Sequence, residues 1–282
     1  MAVRLIALDI DGTLLDSRWR LSEANREAIQ RATRCGIEVA LVTGRRYDFA
    51  LPVAQDLGCP VTMIVNNGGL IRSNDGHTRL KRLLPVKTAR AALGLGRPWR
   101  AGAAVIFDRP KENQLILEQL EADDLIRYAY YSRNLEFIGV ISPIEDCLTE
   151  MPLQVMFSGT VAEMHALEQL LLASALAPEI KLASTKYASK DFAMLDVLPS
   201  GCTKGAALAD WAKSKGLQRD EILAVGDNHN DFEMLEFAGI AVVMQNCVPE
   251  LKMYGWHETH SNDESGVAAA IERFAFSGAS CA

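Results

Sequence analysis

The chain has no C-x-x-C pair and no cysteine–histidine spacing of the zinc-binding kind; its six cysteines (Cys35, Cys59, Cys147, Cys202, Cys247 and Cys281) are scattered. In a chain of 282 residues this scatter reads as free thiols in a reducing compartment rather than a disulfide framework. No apolar run approaches the ~20 residues that a membrane-spanning helix needs. The N-terminus runs straight into a strand, without the basic, apolar and small-residue segments of a signal peptide. Basic residues are in deficit: 29 Lys and Arg against 36 Asp and Glu give a net charge of −7. That balance argues against nucleic acid or an anionic membrane as partner. It leaves an anionic small molecule open, because a local lysine or metal inverts the field inside one pocket. Internal repeats and low-complexity segments are also missing. The expectation is a cytoplasmic globular protein, long enough for two domains.

What is present begins with Leu5-Ile6-Ala7-Leu8-Asp9-Ile10-Asp11-Gly12-Thr13-Leu14-Leu15. The apolar run Val3–Leu8 reads as a buried strand of a parallel sheet. It ends in two carboxylates two residues apart, and side chains at i and i+2 of an extended chain share a face, so Asp9 and Asp11 can serve one site. Two unneutralised carboxylates at the mouth of an apolar strand repel each other and lose hydration, which a bound cation would relieve. Asp-Gly is also ordinary turn chemistry, so this stretch needs support from elsewhere.

Support comes from the pattern along the chain. Ser22 caps a helix whose apolar side is Ala24, Ala28, Ile29 and Ala32. The strand Ile37–Val42 stops at Thr43-Gly44-Arg45, a helix interrupted near Pro52 follows, and the strand Val61–Val65 stops at Asn66-Asn67-Gly68-Gly69. Strands alternating with helices and delivering polar or small residues at their carboxyl ends describe the ligand edge of an open parallel sheet. From about Leu84 to about Lys190 the texture changes. Ala103–Phe107, Arg127–Tyr131, Phe137–Ile141 and Leu153–Phe157 read as strands, and Val161–Leu176 as the one clear helix. Alternation then resumes: a helix opening at Lys204-Gly205, a strand Glu221–Val225 ending at Gly226-Asp227-Asn228-His229-Asn230-Asp231, a strand Ile240–Met244 and a last helix from Gly266 to Phe276. The tail Ser277–Ala282 reads as frayed. The predicted fold is α/β, a Rossmann-like parallel-sheet core of residues 1–84 and 191–282, with an α+β domain of residues 85–190 inserted.

The strand ends supply Asp9, Asp11, Thr43, Gly44, Asn67, Asp227, Asn230 and Asp231, with Lys204 at a helix start. Carboxylates from separate strands suit a hard cation that wants oxygen ligands, which points to Mg²⁺. A lysine, a threonine hydroxyl and loop amides suit phosphoryl oxygens. A second aspartate can carry a proton for a leaving group if its neighbours raise its pKa. Together these are the parts phosphoryl transfer needs.

Asp9-Ile10-Asp11-Gly12-Thr13, Val42-Thr43-Gly44-Arg45, Lys204-Gly205 and Gly226-Asp227-x-x-Asn230-Asp231 resemble, in order, the four motifs of the haloacid dehalogenase-like hydrolase superfamily. The insertion between the second and third motifs, with Asn67-Gly68 and the ending Ser261-Asn262-Asp263-Glu264-Ser265-Gly266-Val267, is similar to the Cof-type branch. The resemblance implies a Mg²⁺-dependent phosphatase acting on a small phosphorylated metabolite, most plausibly a sugar phosphate, through a phospho-aspartyl intermediate. It casts Asp9 as nucleophile and metal ligand, and Asp11 as acid and base whose backbone carbonyl also binds the metal. Thr43 and Lys204 hold phosphoryl oxygens, with Gly12, Gly44, Asn67 and Asn230 lining the phosphate or substrate. Asp227 completes the metal shell, supported by Asn230 and Asp231, and the inserted domain becomes a mobile cap that excludes water and selects the leaving group. A phosphotransferase or mutase using the same aspartate, and a non-catalytic phospho-metabolite sensor, are the rivals. The resemblance departs at Gly69 and Cys247, where alanine is common, and neither position carries a reacting group.

Other residues have plainer readings. His229 faces solvent, the His257/His260 pair lacks the frame of a metal site, and Cys202 is a buried inert thiol. Arg45 either pairs with a core carboxylate or reaches substrate. Trp99, Tyr130, Tyr131 and Tyr187 pack within the inserted domain.

Overall fold

A computed structural model of the chain describes residues 2–120, 132–187 and 190–276. In chain order the first part contains β1 (Leu5–Leu8), α1 (Glu23–Arg34), β2 (Glu38–Val42), α2 (Tyr47–Asp56), β3 (Thr62–Val65) and the hairpin β4 (Leu70–Ser73) and β5 (Thr78–Lys81). Next come α3 (Val86–Leu95), β6 (Ala103–Ile106), β7 (Leu115–Leu117), β8 (Ile138–Val140), β9 (Gln154–Gly159), α4 (Val161–Leu172), β10 (Ile180–Tyr187) and β11 (Phe192–Pro199). The chain ends with α5 (Lys204–Ser214), β12 (Ile222–Gly226), α6 (Phe232–Phe237), β13 (Ile240–Val243), β14 (His257–Glu258) and α7 (Gly266–Phe274). The residues separate into one unit of Met1–Lys81 with Thr203–Ala282 and a second unit of Arg82–Cys202.

The first unit is built on an eight-stranded sheet of order β14-β13-β12-β1-β2-β3-β4-β5. It is parallel from β14 to β3 and antiparallel at the β4–β5 edge. Continuous apolar runs form its centre because parallel strands are covered on both faces. Leu5 and Ala7 of β1 pack with Ala207, Leu208 and Trp211 of α5 and with Met234 and Leu235 of α6, while Ile6 and Leu8 point the other way and are equally buried. The β1–β2–β3 run extends to one side of β1, and β12 returns on the other. The carboxyl ends of β1 and β12 therefore lie at the point where strand order reverses, the usual ligand position in such sheets.

Local chemistry accounts for the helix ends. The Ser22 hydroxyl accepts the Asn25 N–H at the start of α1, Glu23 lies in its first turn, and Arg31 and Arg34 lie in its last. Its buried face carries Asn25, not the expected Ala24. Asn25 is tolerated there because its amide donates to the Leu14 carbonyl and accepts the Ala268 N–H. Pro52 lies inside α2 without ending it. The Thr203 hydroxyl caps α5 by accepting the Ala206 N–H at 3.0 Å, which starts that helix at Lys204.

The second unit is a six-stranded sheet of order β10-β11-β9-β6-β7-β8, antiparallel except for the β7–β8 pair. One face packs on α3 and α4 through Val105, Phe157, Leu93, Met164 and Leu167; the other carries Ala104, Ile106, Leu115, Leu117 and Met156. Residues from 191 onward were expected in the first unit. Instead β11 pairs with β9 and β10, which moves the return to the first unit to Thr203. Trp99 packs against this core as expected, and Tyr187 is partly exposed beside Phe192. The readings for Arg127–Tyr131, including Tyr130 and Tyr131, and for Ser277–Ala282 fall outside the described residues. Cys59, Cys147, Cys202 and Cys247 carry free thiols as expected, whereas Cys35 is disulfide-bonded, which corrects the reading of six free thiols. Burial pushes the Cys202 thiol up to about 12, consistent with an inert side chain. Among the described residues no helix is long and apolar enough to cross a membrane.

Two consequences can be measured. Gly68 has φ +97°, and a Cβ there would lie 2.3 Å from the Thr203 carbonyl at the head of α5. Gly68→Ala is expected to cost about 2 kcal/mol or more, read as a lowered urea midpoint. In the second unit, burial pushes the Asp196 carboxyl up to about 7, which the 2.7 Å hydrogen bond from Gln154 Nε2 only partly offsets. An unfolded aspartate titrates near about 3.9, so between about 4 and 7 the folded chain binds more protons and stability falls as pH rises. Asp196→Asn is expected to flatten that slope in thermal unfolding followed from pH 5 to pH 8, in steps of about half a unit.

Candidate active site

The site is assembled from strand ends. Asp9 follows β1, Thr43 follows β2, Asn66 and Asn67 follow β3, Asp227 follows β12, and Lys204 opens α5. Asn66 and Asn67 both adopt left-handed backbone, φ 52° and 51°, a conformation asparagine accepts more readily than most residues. The Asn67 N–H then donates to the Thr43 carbonyl at 3.1 Å, tying the β3 turn to the β2 end.

Its centre is the Lys204 ammonium, which donates to Asp9 Oδ1 and to Asp231 Oδ1, both at 2.6 Å. Lys204 is 1% exposed and Asp231 is fully buried. The other Asp231 oxygen accepts the N–H groups of Asp227 and Asn228, each at 3.0 Å. Those bonds curl the loop after β12 and carry Asp227 back toward β1, where Thr13 Oγ1 donates to Asp227 Oδ1 at 2.9 Å. Gly12 has φ +83°, and a Cβ there would sit 2.4 Å from Asp227 Oδ2, so only glycine lets this carboxylate approach.

Electrostatics follow from this crowding. Burial, then the charge of Asp231, holds the Asp9 carboxyl well above the usual carboxylate range, and Lys204 only partly reverses the effect. Burial and Asp231 likewise push Asp227 up to about 7. Burial alone would lower the Lys204 ammonium, but Asp231 and Asp9 outweigh it and hold the group above its ordinary value. Asp9, Asp227 and Asp231 can bring one oxygen each within 4.8 Å of one another. Three carboxylates against one ammonium leave two negative charges without a counter-charge in the cluster. Among the described residues, Asp9 Oδ2 and Asp227 Oδ2 take no hydrogen bond, whereas both Asp231 oxygens are engaged. This donor set fits a hard divalent cation held by Asp9 and Asp227, with Asp231 orienting the loop and the lysine.

Asp11 stands apart from the cluster. Its two oxygens accept a fork from Arg45: Nε to Oδ2 at 2.8 Å and Nη2 to Oδ1 at 2.5 Å. Of the two uses open to Arg45, pairing with a core carboxylate is the one observed. Thr43 is buried, and its hydroxyl accepts the Arg45 N–H at 3.1 Å. Gly44 lies against Asn67, and Asn230 Nδ2 reaches Asn67 Oδ1 at 3.4 Å, so these residues form one polar wall. His229 is exposed, as expected. Sequence reasoning passed over Thr13 and Asn246. Thr13 stands inside the first motif, where its spacing was visible. Asn246 Nδ2 donates to the Gly12 carbonyl from 234 positions away, with no local signal to mark it.

The fold and the carboxylate–lysine cluster at its switch point define an α/β enzyme of the phosphoryl-transfer kind in layout. A sequence model for haloacid dehalogenase-like hydrolases matches residues 6–271, and the chain belongs to that family. It is similar to the 5-amino-6-(5-phospho-D-ribitylamino)uracil phosphatase YwtE of Bacillus subtilis (strain 168), 30% identical over 290 residues, with 96% of this chain and 98% of that protein covered. It is also similar to the HMP-PP phosphatase of Serratia proteamaculans (strain 568), 30% identical over 253 residues, covering 88% of this chain and 86% of that protein. Among solved structures, a haloacid dehalogenase-like hydrolase from Bacteroides thetaiotaomicron matches with a TM-score of 0.80 at 26% identity, over 96% of this chain and 99% of that one.

Removing the shared cation tests the electrostatic account. Lys204→Met leaves Asp9 and Asp231 buried without their ammonium, and should lower stability by about 3–5 kcal/mol in chelator-treated protein. Denaturant unfolding beside wild type measures it.

Proposed function

We propose that the chain is a Mg²⁺-dependent phosphatase that hydrolyses small phosphate monoesters, sugar phosphates among them, through a phospho-aspartyl intermediate on Asp9. The observation that carries this reading is the buried Asp9–Lys204–Asp231–Asp227 cluster, with its residual double negative charge beside the Asp11–Arg45 pair. Two curated relatives that carry phosphatase names, for substrates bearing phosphate groups, support the same class.

In this reading the Asp9 carboxylate attacks phosphorus, the bond to the ester oxygen breaks, and Asp11 passes a proton to the departing alcohol. Asp11, now a carboxylate, takes a proton from the water that attacks the phospho-aspartate, releasing phosphate and restoring Asp9. The Arg45 fork contacts both Asp11 oxygens, so it must release one before that oxygen can deliver a proton. Lys204 orients Asp9 and, with Thr43 and the Gly44, Asn67 and Asn230 wall, offers donors to the phosphoryl oxygens. Asp9, Asp227 and the Asp11 backbone carbonyl would hold Mg²⁺, which when bound would supply charge to neutralise the cluster and polarise the phosphoryl group. The unit Arg82–Cys202 is assigned the part of a cap that selects the leaving group, and the protein is assigned to the cytoplasm.

The test is phosphate release from sugar phosphates, nucleotides and an aryl phosphate. Turnover should vanish in chelator, return with Mg²⁺, and fall by at least about a thousandfold in Asp9→Asn. Activity that survives in Asp9→Asn, with deamidation ruled out, would place the nucleophile elsewhere. Faster phosphorylation of an acceptor sugar than release of phosphate would favour a phosphotransferase.

A further inference from the structure

The loop after β1 presents an indole in a costly way. Trp19 has φ 62°, in the left-handed region that is unfavourable for a bulky side chain. It is nonetheless 62% exposed, so burial does not compensate. The conformation is imposed by Asp16. One carboxylate oxygen accepts the N–H groups of Arg18 and Arg20 at 2.9 and 2.8 Å, and the other accepts the Arg20 side chain at 3.1 and 2.9 Å. The Trp19 N–H donates to the Asp16 carbonyl at 2.9 Å, and the neighbouring Ser17 N–H is held by Asp263 at 2.8 Å. Glycine or asparagine would suit this backbone better than tryptophan.

The indole's position gives the strain a use. Its ring centre lies 5.3 Å from the guanidinium carbon of Arg45, the same guanidinium that forks onto Asp11. One side chain, Arg45, therefore links the exposed indole to the carboxylate assigned to the leaving-group oxygen. A leaving group handled by Asp11 is one guanidinium away from that ring.

We propose that Trp19, braced by Arg45, is a platform for the leaving group and a specificity-determining residue of the first unit. It favours phosphate monoesters whose alcohol carries a ring with an apolar face, whether aromatic or the C–H face of a sugar, over open-chain alcohols. An aromatic face holds either kind of ring by stacking and area burial, and an acyclic polyol offers little to it. This inference rests on the phosphatase reading and adds a selector outside the inserted unit.

The experiment compares wild type, Trp19→Asn and Trp19→Phe on phenyl phosphate, glucose 6-phosphate and glycerol 3-phosphate. Trp19→Asn should raise KM for the two ring esters about fivefold to tenfold with little change in kcat, and leave glycerol 3-phosphate within about twofold. Trp19→Phe should keep most of the ring preference. The thermal midpoint of Trp19→Asn should equal or exceed that of wild type, because asparagine tolerates the left-handed backbone; a purely structural tryptophan would lower it. Phenyl phosphate against glucose 6-phosphate separates the aromatic from the sugar face. Equal losses on all three esters, or none, would overturn the platform. If wild type turns over no ester, the phosphatase reading fails by itself. Calorimetric binding of the same three esters still decides the platform: weaker ring-ester binding in Trp19→Asn upholds it, and unchanged binding refutes it.

Discussion

One ammonium group shared by two buried carboxylates organises the first unit. Lys204 bonds Asp9 on one side and Asp231 on the other at 2.6 Å, almost wholly out of water. Burying such a group is costly unless its charge is paired and hydrogen-bonded, which constrains the backbone nearby. Asp231 spends its second oxygen on two loop amides, and the loop must curl to supply them. A Cβ at Gly226 would lie 2.7 Å from that of Asp231, and one at Gly205 would lie 2.4 Å from the Glu233 carbonyl. The glycines are thus the steric condition for α5, α6 and β12 to converge on one charge.

The same constraint explains why the cluster suits phosphoryl chemistry. A single lysine cannot neutralise three carboxylates, and burial raises the cost of each uncompensated charge. The arrangement is stable in a protonated or cation-loaded form, and a cation there would stand beside Asp9. Asp11 escapes the crowding because Arg45 draws it to the rim, where it remains partly exposed. The two aspartates, only two residues apart, thereby sit in different surroundings, one buried against Lys204 and one forked by Arg45.

Much of this was legible in the chain. β1, β2, β3, β12 and β13 are continuous apolar runs because both sheet faces are covered, and each ends in the residues that enter the site. Edge elements were not legible. β10 is half-exposed along most of its length, β5 alternates weakly, and β14 is two residues long, so none carries a hydrophobic signature. The boundary at residue 191 moved for a different reason: β11 is apolar enough for either unit, and only its pairing with β9 and β10 assigns it. On α1, Asn25 replaced Ala24 in the core because two distant backbone groups satisfy its amide.

By itself, then, the sequence determined the residue types at the site, their order along the chain and the parallel sheet that delivers them. Local spacing and hydrophobic runs encode these things within a few residues of each strand end. Tertiary structure alone decided which partner each group takes. Lys204 meets Asp9 across 195 positions, Thr13 meets Asp227 across 214, and Arg45 chooses Asp11 across 34. The open face of Trp19 is likewise a property of the folded loop. A hydrogen bond is selected by distance and desolvation in three dimensions, and neither is written in the neighbouring residues.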